Sequence, residues 1–198
     1  MKHKKRQLDK TSYISIFIVI LLLCGFLLGL ILSKYIEISD TENMSNYLSV
    51  LLDKNNQKNY FISQFMLGSF SLFIITLFGM SICGIPMISF LIFTKGVQIG
   101  FSCILFILTY SYKGILGILM VFLPQIFLDL LSFYIISHFS ILFSMNLIYG
   151  CTSKQIIPFK TRINKLLNIL ILCLILTITS SYFKSTIGIW LIHIFEKI

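Results

Sequence analysis

"GIPMISFLIFTKGVQIGF", residues 84–101, places a single lysine, Lys95, inside an almost unbroken apolar run. It raises two questions: what solvent surrounds such a stretch, and where the backbone turns. Composition answers the first. Hydrophobic residues make up 57% of the 198-residue chain and charged residues 12%, with 19 Phe and a mean hydropathy of +0.94. Soluble domains sit near a half-apolar, quarter-charged balance. The expected fold class is therefore all-α: a polytopic integral membrane helical bundle of about five transmembrane helices, with segments broken by proline and glycine and the lipid bilayer as its first partner.

Outward from 84–101, residues 65–112 are apolar apart from Lys95, too long for one helix and sufficient for two. Upstream, residues 13–33 carry no charge and reach across about 30 Å at ~1.5 Å per residue. They lack the shorter apolar core and small-residue cleavage site of a signal peptide. The bulky Leu23 before Cys24 also argues against a lipoprotein cleavage box. Downstream, residues 114–149 hold Asp129 as their only acidic group, and a last apolar run over 166–183 leads to Lys184, free to snorkel, and Trp190, placed for an interface belt. The expected spans are 13–33, 66–93, 96–112, 115–149 and 166–183, in a single membrane domain over 1–198. Residues 34–64 are the one substantial polar segment, a loop with a short amphipathic helix around 47–52.

The net charge of +9 does not point to nucleic acid. Lys2, Lys4, Lys5, Arg6 and Lys10 in the 1–12 tail, and Lys154, Lys160, Arg162 and Lys165 before the last span, lie just outside apolar runs, where they would meet anionic headgroups. An odd number of spans puts both clusters on one side, which the positive-inside rule makes the cytoplasm. The N-terminus is then cytoplasmic, and the 34–64 loop and the C-terminus are extracytoplasmic. The cysteines Cys24, Cys83, Cys103, Cys151 and Cys173 are odd in number, show no C-x-x-C spacing, and read as small apolar residues.

Lys95 has two placements. With helices over 66–93 and from 96, it sits in a short cytoplasmic turn, as the positive-inside rule favours. Alternatively Gly84 and Pro86 break the chain, a helix starts near Ile85, and Lys95 lies at membrane depth. A lysine there costs about 2.5 to 3.5 kcal/mol on the insertion scale unless partnered. Asp129 is the only acidic residue within a span. Gln98 and Ser102 share the Lys95 face at i+3 and i+7, and Gln125 and Ser132 share the Asp129 face at i−4 and i+3. Two such stripes would form a polar seam with Lys95 paired to Asp129; the alternative is that Asp129 faces a water-filled dent or takes a proton. Gly25 with Gly29 and Gly96 with Gly100 are small-xxx-small pairs that let backbones approach, within the chain or in a homo-oligomer. Pro124, like Pro86, marks a kink or an end.

Chemistry of other kinds finds no support. His3, His138 and His193 are scattered, with no H-E-x-x-H motif, so no metal ligand set is expected. Ser180 and Ser181 have no paired base at a telling spacing, and no glycine loop cradles phosphate. The expectation is no catalytic residue, no cofactor and no enzyme.

The run "GMSICGIPMISFLIFTKGVQIGF" (79–101), followed by "VFLPQ" (121–125), resembles the stage II sporulation protein M family of endospore-forming bacteria. The matching residues are Gly79, Gly84, Pro86, Lys95, Gly96, Gly100 and Phe101, then Leu123, Pro124 and Gln125. The basic tail, outer loop, basic inner loop and last span follow in the same order. The resemblance implies a five-span protein of the engulfing mother-cell membrane that assembles and localises two peptidoglycan-degrading partners, stage II sporulation proteins D and P, without being a hydrolase itself. The alternative from another class is a permease-like subunit, with helices broken at Pro86 and Pro124 lining a path and Lys95 and Asp129 serving a substrate or proton.

Overall fold

The computed structural model describes residues 2–33, 57–117, 123–153 and 159–188. Five helices follow one another: α1 (Lys2–Leu32), α2 (Gln57–Gly79), α3 (Gly84–Gly117), α4 (Leu123–Ser153) and α5 (Phe159–Phe183), the last continued by a π-helical turn, Lys184–Gly188. Each contains a stretch long and apolar enough to cross a bilayer: Ser12–Leu32, Lys58–Gly79, Gly84–Ile104, Ile126–Cys151 and Thr161–Thr186. A helix pairs its own backbone groups, which hydrocarbon requires because it offers no water to satisfy them. No strand occurs among the described residues.

Side chains are sorted for lipid rather than water. Leu23, Leu67, Phe70, Leu77 and Phe90 face outward, while Ser132, Ser137, Ser140, Ser144 and Ser180 are buried. In water that exposure would be unfavourable. In a bilayer the apolar faces meet acyl chains, and small residues inside let helices pack closely. The centre of the bundle is filled by Ile18, Leu72, Ile75, Ile88, Ile92, Ile136 and Cys173. The fold is a helical membrane bundle.

The helix boundaries correct the expected ones. The span placed over 66–93 is two helices, because the chain turns at 80–83, and the turn expected around Lys95 is continuous helix. Hydrogen bonds close the real turn: the Met80 N–H donates to the Thr76 and Leu77 carbonyls, Ser81 N–H to Phe78 O at 2.9 Å, and Gly84 N–H to Ser81 O at 3.2 Å. The Ser81 hydroxyl oxygen accepts from Cys83 N–H at 3.3 Å. A side chain on Gly84 would run into the Phe78 carbonyl oxygen, so this position needs glycine. Pro86 falls in the first turn of α3, where backbone N–H groups have no intrahelical acceptor, so its missing donor costs nothing. It begins a helix and does not kink one.

Pro124 does the same for α4. The span expected from 115 is divided, since α3 runs on to Gly117 and α4 starts at Leu123. The separate span over 96–112 is the continuation of α3. α2 already begins at Gln57, inside the expected 34–64 loop; residues 34–56, with the amphipathic helix expected at 47–52, and Trp190 lie outside the described residues. α5 begins at Phe159, before the expected 166, and α1 reaches back through the basic tail to Lys2.

α1 and α3 lie side by side in the same direction. A methyl added at Gly25 would collide with the Phe93 carbonyl oxygen and lie 3.2 Å from Gly96 Cα; four residues on, one added at Gly29 would collide with the Val97 carbonyl and lie 2.9 Å from Phe101 N. Seen from α3, a methyl added at Gly96 would lie 3.1 Å from Gly25 Cα and one added at Gly100 3.3 Å from Gly29 Cα. The two glycine pairs are therefore used on each other within one chain. At the far end, Gly79 of α2 abuts Ser140 of α4, and the Ser144 hydroxyl donates to Ser81 O at 2.9 Å.

Candidate functional site

Polar side chains gather where α2 and α4 begin and α5 ends, at the opposite end of the bundle from the 80–83 turn. Asp129 lies near the start of α4. Ser180 and Lys184 stand four residues apart at the end of α5, which puts both on one face. The Ser180 hydroxyl donates to Asp129 Oδ1 at 2.8 Å, and Lys184 Nζ forms an ion pair with Asp129 Oδ2. The two charged side chains retain only 19% and 18% exposure, so the pair is well withdrawn from its surroundings.

Lys95 reaches the same place from α3. Its Nζ lies over the Phe133 ring, 5.9 Å from the centroid, one turn along α4 from Asp129. It is within electrostatic range of both Asp129 and Lys184. Between these groups is a cleft of about 250 Å³, walled by Tyr60 and Gln64 of α2, Lys95, Gln98, Ile99 and Ser102 of α3, Ile126 and Asp129 of α4, and Lys184. One carboxylate thus faces two ammonium groups and pairs with one of them, Lys184. Around it stand amide and hydroxyl groups, a set that binds charge and hydrogen-bonding partners.

The expected Lys95–Asp129 ion pair is replaced. Among the described residues the carboxylate of Asp129 pairs with Lys184, the lysine expected to snorkel outward, and Lys95 makes no ion pair. The reason is geometric: the last turn of α5 packs directly against the first turns of α4, while Lys95 comes from deeper along α3. The stripe idea holds in a different form. Lys95, Gln98, Ser102 and Asp129 share one cleft, but the Ser102 hydroxyl donates to Gln98 O at 2.8 Å and Ser132 to Asp129 O at 2.9 Å, each within its own helix. The side chains of Gln125 and Pro124 lie outside the described ones.

Sequence reasoning missed Lys184, Ser180, Tyr60 and Gln64. Ser180 with Lys184, and Tyr60 with Gln64, each have the i, i+4 spacing of residues sharing a helix face. That spacing recurs throughout the chain, and Lys184 at the end of an apolar run already had a sufficient explanation as an interfacial lysine.

The model of the family described as stage II sporulation protein M matches residues 18–187, which takes in the first span from Ile18 onward, the other four in full and the whole cleft. The chain belongs to this family. No curated protein and no solved structure matches it. Family membership and five apolar helices make it a sporulation-related membrane protein. The glycine seam, the Gly84–Pro86 helix start and Lys95 all fall inside the matched region.

Proposed function

We propose that this chain is the membrane scaffold of the engulfment machinery, assembling and localising peptidoglycan-degrading partners, stage II sporulation proteins D and P, at the engulfing mother-cell membrane. The observation that carries it is the family match over residues 18–187 on a five-span bundle. The chain itself has no hydrolytic role. It holds its N-terminus in the cytoplasm and presents the loop after α1 and the C-terminus outside, where peptidoglycan lies; the basic clusters support this orientation.

Affinity purification of the tagged chain from sporulating membranes tests the assembly role. Recovery of both wall-degrading proteins, with arrest of membrane migration on depletion, is the expected result; a chain that comes down without them while engulfment proceeds would rule out the scaffold. Reporter fusions in the 34–56 segment and at the C-terminus are expected to report an extracytoplasmic position. The charged cleft at membrane depth favours a second function, a permease-like subunit. Solute or proton flux in proteoliposomes holding the purified chain alone, lost in Asp129→Asn, would favour transport over scaffolding.

A further inference from the structure

Among the described residues, charge does not balance in the cleft: its walls hold the ammonium groups of Lys95 and Lys184 and one acidic side chain, Asp129, which is already engaged by Lys184 and Ser180. A lysine at this depth is costly unless something negative stands near it. Depth itself is informative. Tyr60, Asp129 and Lys184 lie close to the ends of the spans Lys58–Gly79, Ile126–Cys151 and Thr161–Thr186, all on the same side, within about 5 Å of the span limit at ~1.5 Å per residue. An apolar span ends near the boundary between acyl chains and headgroups, so the mouth of the cleft is close to that boundary. Gln98, on the cleft wall, is exposed, while Ile99 and Ile126 give the same wall an apolar part. The cleft is thus cationic in sum among the described residues and amphipathic in lining; it opens near the span limit at Tyr60, Asp129 and Lys184 and runs inward to Lys95, whose backbone is about 14 Å inside the span Gly84–Ile104 at ~1.5 Å per residue.

We propose that this cleft binds the phosphate of an anionic membrane lipid, with Lys95 as its charge partner. The phosphodiester brings the missing negative charge. Gln98 donates to its oxygens, and the glycerol end lies along Ile99 and Ile126. A lipid is favoured over a free anion because only an amphiphile uses both halves of such a wall and is already concentrated at that depth.

The test uses the full chain, purified and placed in phosphatidylcholine nanodiscs doped with phosphatidylglycerol, with retained lipid counted by native mass spectrometry. Wild type is expected to hold phosphatidylglycerol in preference to phosphatidylcholine. Lys95→Gln should weaken that retention roughly fivefold, the worth of one ammonium at an anionic surface, and Lys95→Arg should restore it. Excess inorganic phosphate should not displace the lipid. Equal retention by wild type and Lys95→Gln would overturn the proposal, as would full displacement by inorganic phosphate, which would mark a free-anion site. Gln98→Leu, a change at an exposed position, gives the same comparison without loading the fold, and undiminished retention there removes Gln98 from the site. Lipid retention is read with no protein partner present, so its failure is distinct from failure of the scaffold.

Discussion

The two faces of α3 obey opposite rules. Toward α1 it presents Gly96 and Gly100, and the backbones close until carbonyl oxygens of one helix lie against the α-carbons of the other. Toward α2, α4 and α5 it presents Lys95, Gln98 and Ser102, and the helices stand apart around a cleft of about 250 Å³. The first contact is held by close packing, since lipid supplies no hydrophobic drive between helices. The second leaves space, lined with charge. In a membrane, where side chains are absent the helices touch, and where long polar ones cluster a site remains.

Substitutions that fill the seam give the largest expected effects. Gly29→Leu would push a side chain into the Val97 carbonyl and Phe101 N; overpacking of this kind costs about 3 kcal/mol or more. Thermal unfolding of the detergent-solubilised chain should show α1 detached, with new protease sites in α1. A variant as stable as wild type would mean that the seam does not hold α1.

Next comes Asp129→Asn, which leaves two ammonium groups without a carboxylate. The loss should be about 2 kcal/mol, less than for a fully buried pair because these side chains keep some exposure. The double change with Lys184→Gln should recover part of it, and a cycle showing no coupling would dissolve the pair. Lys184→Gln alone should cost less, about 1 kcal/mol, because Lys95 remains within range as a counter-ion to Asp129.

The smallest effect sharpens the comparison from the other side. A methyl at Gly68 would lie 3.8 Å from the Thr177 side chain, an ordinary contact. Gly68→Ala should therefore be neutral or stabilise α2 by up to about 1 kcal/mol through helix propensity. Marked destabilisation there would show that the α2–α5 contact is as tight as the glycine seam.

Much of this architecture was legible in the residues. Apolar length marked five spans, because hydrocarbon thickness sets a minimum length for each. The cut between α2 and α3 was harder. Residues 80–83 are hardly more polar than their neighbours, so hydropathy passes over them, and only Gly79, Gly84 and Pro86 signal the turn. Lys95 then pulled the boundary the wrong way, because a lone lysine in an apolar run looks like an interfacial residue. In the cleft, helical periodicity correctly grouped Lys95 with Gln98 and Ser102 on one face. It had nothing to say about which helix would lie opposite.

Sequence alone dictates immersion in lipid and the number of crossings, since both depend on how much apolar length is continuous along the chain. It also dictates which residues share a helix face, since the period of 3.6 residues is local. Only the packed bundle decides that Gly25 and Gly29 meet Gly96 and Gly100, that Asp129 takes Lys184 as its partner, and that Lys95 is left with the Phe133 ring. Those outcomes depend on the order in which helices are arranged around one another, and no spacing along a single helix encodes its neighbour.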